Sequence, residues 1–311
     1  MSSTDSPARN GAGRSSLARY AWISIGASLL TMALKAGAYL LTNSVGFLSD
    51  AMESVVNLVA GFMALAMLTI AARPADKSHA YGHSKAEYFS STTEGLLILA
   101  AAAGIIYTAA ARLSDPQPLE RLGLGLAISA AASLVNLPAA RVLMAAGKRE
   151  NSITLEADAQ HLMTDVWTSV GVMAAIGLVA LTGWQRLDPV IAMLVGLNIV
   201  RAAFQILRRS IAGLMDASLP PVELAIIARV MAVHEARGVT FHALRTRQAA
   251  AQRFVSVHLL VPGAVSLHDA HHLAEAFEGD VRRELPGTVV QTHLEPVDDV
   301  ISAQDVHDPR D

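Results

Sequence analysis

Leu155-Glu156-Ala157-Asp158-Ala159-Gln160-His161-Leu162-Met163-Thr164-Asp165 runs without a break into an apolar stretch that ends near Trp184. Ionisable side chains inside a membrane-length segment are costly, so they usually face a bundle interior or a wet cavity and mark an ion path. His161 and Asp165 stand at i, i+4, which on a helix puts both on one face, one turn apart. An imidazole and a carboxylate so placed can share one divalent cation. The stretch reads as half of a transport site whose other half sits on another helix. Asp50-Ala51-Met52-Glu53-Ser54-Val55-Val56-Asn57 has the same grammar, with oxygen ligands at the offsets of Asp158, His161 and Asp165.

The 311 residues leave room for two domains, and their composition is uneven. Charged residues make up 16% of the chain, against about 25% in an average soluble domain. The shortfall lies in residues 17–214; residues 215–311 have ordinary soluble composition. A membrane domain followed by an aqueous one is expected, behind a Ser-, Gly- and Arg-rich tail (1–16) that reads as a disordered cytoplasmic segment and not as a cleaved signal. Six stretches have the roughly 20 apolar residues a helix needs to cross hydrocarbon: Leu17–Leu41, Val45–Ala72, Tyr88–Leu113, Leu122–Ala146, Ile153–Trp184 and Asp188–Leu214. Lys and Arg collect before the first span, in the 73–87 loop, around the fourth-to-fifth connection and after the sixth. Both termini are therefore expected on the cytoplasmic side, in a bacterial inner membrane. The last segment reads as helix (from Pro220-Pro221), strand (Val239–Gln248), strand (Arg253–Val261), helix (Ser266–Leu285) and strand (Thr288–Glu295). That order fits a small α+β sandwich of ferredoxin-like type.

With no cysteine, disulfide frameworks, zinc ribbons and thiolate nucleophiles are excluded, and any metal must bind through N and O ligands. Three groups of such ligands stand out. A lone polar residue in a span is often only a helix–helix contact, and that reading stays open for Asp50 and Asp158. Glu53 with Asn57, and His161 with Asp165, instead supply two single-turn pairs on separate spans, suited to tetrahedral binding. Asp76-Lys77-Ser78-His79-Ala80-Tyr81-Gly82-His83 is either a polar loop or a wrap around one ion, with Gly82 to permit the turn. His242, His258 and His293, followed by Glu295, fall on three different expected strands, with His268, His271 and His272 on the adjacent helix. No His-Glu-x-x-His, phosphate-cradling Gly-x-x-x-x-Gly-Lys or Gly-x-Ser-x-Gly occurs. Their absence argues against metalloprotease chemistry, ATP-driven pumping and covalent catalysis, and no basic stripe suits nucleic acid. Secondary transport remains. The rivals are a non-transporting membrane metal sensor or scaffold and, further off, a membrane-embedded metal hydrolase.

Together the stretches Ser44–Asn57, Arg73-Pro74-Ala75-Asp76 through Glu87, His161–Asp165, Asp188-Pro189, Leu214-Met215-Asp216 and His242–Gln248 resemble the cation diffusion facilitator family. The resemblance spans nearly the whole chain after the tail. It implies a homodimer of six-span protomers with a cytoplasmic metallochaperone-like domain, exporting a divalent metal, zinc first, against proton entry. On it, Glu53, Asn57, His161 and Asp165 form the transport site, with His161 and Asp165 coupling protons and Asp50 and Asp158 behind them. Asp76, His79 and His83 form a loop site. His242, His258, His271, His293 and Glu295 form a cytoplasmic regulatory site, and Lys85 and Asp216 are dimer contacts. Two departures bear on the metal. Many zinc-carrying members have Asp or His at Glu53, and most have Asp at Asn57, so iron(II), manganese(II), cadmium, cobalt and nickel stay open. Glu295 replaces the commoner Asp.

Overall fold

The computed structural model describes residues 17–42, 45–114 and 122–302, with the side chains of residues 41–53, 122–126, 172, 176 and 180 outside that description. The expected disordered tail and the side chains of Asp50 and Glu53 thus lie outside the described residues. Two compact units meet at Ile211/Ala212.

The first unit is built from α1 (Ala18–Thr42), α2 (Val45–Ala71), α3 (Ala86–Ser114), α4 (Leu122–Glu150), α5 (Ile153–Thr182) and α6 (Leu187–Leu214). All six are long and apolar enough to cross a membrane. In hydrocarbon a helix satisfies every backbone N–H and C=O internally, which is why apolar runs of this length take no other form there. Two interiors share α5. Leu17 just before α1, Ala21 of α1, Leu68 of α2, Ala139 and Leu143 of α4, and Leu155 and Leu162 of α5 form one. Ile98 and Ala102 of α3, Ala157 of α5, and Ile199, Ala203 and Ile206 of α6 form the other. Small residues set the spacing, as expected where dispersion and not water expulsion drives packing. A Cβ on Gly95 would lie 2.9 Å from Leu207 of α6, and one on Gly196 would lie 2.7 Å from Ile106 of α3. Ser152 starts α5: its Oγ accepts from the Leu155 N–H, and Gly183 ends the helix in the left-handed region.

In the second unit α7 (Pro221–Glu235), β1 (Thr240–Ala249), β2 (Gln252–Val261), α8 (Leu267–Glu284) and β3 (Thr288–Pro296) follow in order. The strands form a sheet in the order β1-β2-β3, with β1/β2 antiparallel and β2/β3 parallel through the α8 crossover. Ser266 caps α8 by accepting from the Asp269 N–H. Both helices cover one sheet face, where Ile227, Phe277 and Val281 close over Val255, Val257, Leu259 and Val290. Between them His234, buried edge-on against Phe277, bonds Asp280 at 3.1 Å. That bond, with help from Arg283, holds the Asp280 carboxyl below its ordinary range. A depressed carboxylate contributes stability that is complete above the ordinary value and fades as pH falls through the folded one.

Candidate transport site and metal clusters

Asn57 on α2 and His161 and Asp165 on α5 come together inside the first unit. Asn57 Nδ2 donates to Asp165 Oδ2 at 2.8 Å, and His161 Nε2 lies 2.6 Å from Asn57 Oδ1. An amide oxygen only accepts, so in this arrangement the hydrogen sits on His161 Nε2. Asn57 and His161 are buried. Asn136, in the middle of α4, gives Asp165 Oδ2 a second amide donor at 3.2 Å. Glu53 is placed by its backbone one turn before Asn57 on α2. Asp158 turns elsewhere: its Oδ1 accepts from Ser24 of α1 at 2.7 Å, tying α1 to α5. Glu94, fully buried on α3 and bonded by Ser90, is a further buried carboxylate, one to which the sequence pattern assigned no role.

A cavity of about 780 Å³ adjoins the triad, with Asn57, His161 and Asp165 at one end and Arg112 and Asp188 at the other. At the opposite ends of the helices, next to the 73–85 loop, polar pairs tie the bundle shut. Ser152 donates to Glu87 Oε2 at 2.5 Å, Ser91 and Ser210 hydroxyls meet at 2.7 Å, and Arg209 reaches Glu156 at 2.5 and 3.3 Å. Glu87, Ser91, Ser152 and Ser210 are all buried there.

In the loop, Asp76 Oδ1 accepts from the N–H groups of Ser78 and His79 at 2.8 and 2.7 Å. These bonds, His79 first, hold its carboxyl below the ordinary range. His79 Nδ1 and His83 Nε2 each lie 3.4 Å from an Asp76 oxygen, so the three can offer ligand atoms to one ion. Gly82, at φ 82°, supplies the turn that brings His83 back.

The cytoplasmic-type cluster is a consequence of strand register. His242 pairs with His258 across β1/β2, and His258 pairs with His293 across β2/β3, forming one row over three strands. Glu295 lies two residues beyond His293 and so shares its face. Its oxygens reach His242 Nε2 at 2.8 Å, His258 Nδ1 at 2.9 Å and His293 Nε2 at 3.5 Å. A bulge at Ala243, whose φ is 50°, lets both Phe241 and Leu244 pack on the core while His242 points the other way. The row therefore occupies the face of the sheet away from the helices. This excludes His271 within the protomer. Ala270, Ala274, Phe277 and Val281 are the residues α8 buries, and His271 stands exposed on the helix side of the sheet, its ring 5.8 Å from that of His272. Lys85 is half-buried just before α3, and Asp216, at φ 55°, pairs with Arg247 at 3.1 Å.

Residues 21–215 match the family model described as the cation efflux transmembrane domain, and residues 219–297 match that of the cation efflux protein cytoplasmic domain. An uncharacterized transporter of Synechocystis sp., sll1263, is 52% identical over 92% of each chain. The cation-efflux pump FieF of Klebsiella pneumoniae is 30% identical over 87% of this chain and 90% of its own length, and that of an Escherichia coli strain is 30% identical over 87% and 89%. Six spans, a His–Asn–Asp triad beside a cavity, a small α+β domain and these matches make the chain a multi-pass membrane protein of the cation efflux, or cation diffusion facilitator, family of transporters.

Proposed function

We propose that this chain is a secondary transporter exporting a divalent metal cation from the cytoplasm in exchange for protons. Zinc is the first choice of cargo, ahead of iron(II), manganese(II), cadmium, cobalt and nickel. The observation that carries this reading is the Asn57–His161–Asp165 triad, joined at 2.6 and 2.8 Å in the wall of a cavity within a six-helix bundle. Glu53, one turn from Asn57, completes a four-ligand set in which two carboxylates balance a divalent charge. Nitrogen and oxygen ligands of this number suit zinc.

His161 ligates only through a lone pair of its neutral imidazole, so metal entry displaces a proton from the imidazolium form, in which both ring nitrogens carry hydrogen. Release on the far side returns His161 Nε2 to Asn57 and leaves Asp165 to its two amide donors. His161 and Asp165 thereby carry the proton coupling. Rocking of α3 and α6 against the α1-α2-α4-α5 half would alternate access to a fixed site. Residues 17–214 form the transport domain. Residues 215–311 form a cytoplasmic domain whose strand cluster senses metal and joins two protomers, with Lys85 and Asp216 as contacts. Both termini face the cytoplasm of a bacterial inner membrane, in keeping with the Lys and Arg distribution.

The test is uptake of each candidate metal into proteoliposomes bearing a pH gradient, wild type beside Asp165→Ala. Uptake of one metal that collapses with the mutation and with the gradient is expected. No uptake of any metal, with tail binding intact, would replace this reading by a metal sensor.

A further inference from the structure

Among the described residues, the wall of the cavity beside the triad has three fully charged side chains: Asp165 at the inner end, and Arg112 and Asp188 at the outer end. Arg112 lies in the last turn of α3 and Asp188 in the first turn of α6. From Leu97 to Arg112, both in the wall, a helix rises roughly 22 Å. Between the charged ends stand small or neutral side chains, among them Ala101, Gly104, Thr108 and Ala192. The Arg112 and Asp188 side chains are 3.8 Å apart, with Arg112 52% exposed and Asp188 18% exposed. The guanidinium therefore covers the carboxylate, at a separation too long for a firm hydrogen bond.

Each residue has an ordinary explanation on its own. A basic group at a helix C-terminus and an acidic one at an N-terminus both complement the helix dipole. What that leaves unexplained is their meeting at the mouth of a polar-ended cavity whose floor is the triad. Loose, exposed ion pairs are easily parted. Among the described residues of this wall, Asp188 is the carboxylate a cation meets after leaving the triad.

We propose that the Arg112–Asp188 pair is the charge-selective gate of the path joining the triad to the membrane face opposite the 73–85 loop. Asp188 draws cations to the mouth, and Arg112 holds that carboxylate until a cation takes its place. The inference rests on the transport reading for its purpose, but its test requires no metal movement. The 311-residue chain has no cysteine, so Thr108→Cys gives it a single thiol, on the cavity wall. Membrane vesicles of each orientation carrying this variant would be treated with membrane-impermeant cationic and anionic methanethiosulfonate reagents of matched size.

Labelling from the side opposite the 73–85 loop is expected, with the cationic reagent favoured. Adding Asp188→Asn should cut the cation-to-anion rate ratio about threefold or more, Asp188→Glu should retain it, and Arg112→Gln should raise it, as fixed charges at a cleft mouth bias local ion concentration. A merely structural role would slow both reagents alike and leave the ratio unchanged. An unchanged ratio in both Asp188→Asn and Arg112→Gln, or a thiol reached only from the 73–85 loop side, would overturn the gate while leaving the transport reading untouched. Failed metal uptake with the expected ratios would do the reverse.

Discussion

Asn57 is the residue through which the triad is assembled, since its one amide faces both neighbours: Nδ2 toward Asp165 and Oδ1 toward His161. A carboxylate in its place changes both contacts. Asn57→Asp removes a donor from Asp165 and sets two carboxylates within hydrogen-bond distance, an arrangement that favours a bound cation or proton over two free charges. A neutral carbonyl ligand also becomes an anionic one, which strengthens a divalent site. We expect Asn57→Asp to bind metal on the order of tenfold tighter, about 1.4 kcal/mol, to release it more slowly, and to alter the order of metal preference. Competition binding with zinc, manganese(II) and cadmium, alongside turnover in proteoliposomes, measures this; an unchanged preference would remove Asn57 as a selectivity determinant. At this scale the sequence was partly legible. The i, i+4 pair His161/Asp165 is local helical geometry, so its shared face follows from spacing alone. Asn136 was not singled out, because its role depends on α4 lying beside α5. A lone Asn within an apolar span was the available signal.

Helix ends are where the membrane unit is fastened. Ser152 Oγ serves two neighbours at once, accepting from the Leu155 N–H and donating to the buried Glu87 carboxylate of α3. The same hydroxyl thus caps the helix that bears His161 and joins it to the helix that lines the cavity. Ser152→Ala loses a cap worth about 1 kcal/mol and a hydrogen bond to a charged group worth about 1.5–3 kcal/mol. A fall of several degrees in the unfolding midpoint in detergent is expected, and Ser152→Thr should recover much of it. Intrinsic fluorescence is a selective probe, since Trp22, Trp167 and Trp184 all belong to the membrane unit. A midpoint unmoved by Ser152→Ala would show that the tie carries no weight. The elements themselves were readable from apolar length and, for α8, from a start at Ser266. Two features of the tail were harder. Strand alternation suggested the histidine row, but Phe241 and Leu244 are an odd number of residues apart, and only a bulge lets both face the core. The resemblance implied His271, and within one protomer α8 packs on the other side of the sheet from the row, a tertiary choice that spacing does not specify.

Over the whole chain, the candidate ligand sets are divided between the compact units: the triad and the loop set in the first, and the strand row in the second. Separate cores allow changes in one set to leave the other's local structure intact, since effects at sites without shared partners are close to additive. Glu295 is the residue common to the strand row, within 3.5 Å of a nitrogen of each of its three histidines. Replacing it with Gln keeps the shape but removes the only carboxylate among these four side chains, weakening cation binding there. If the tail regulates and the triad transports, Glu295→Gln should leave the maximal coupled flux within about twofold, within the near-additivity of distant sites. The metal concentration giving half-maximal flux should rise, because less of the tail would then be loaded at a given concentration. Parallel measurement of bound metal per chain and of flux across a metal titration separates the cases. Lost tail binding with an unshifted flux curve would deny the tail a sensing role. Lost flux at every metal concentration would make the strand row an obligatory station for the ion.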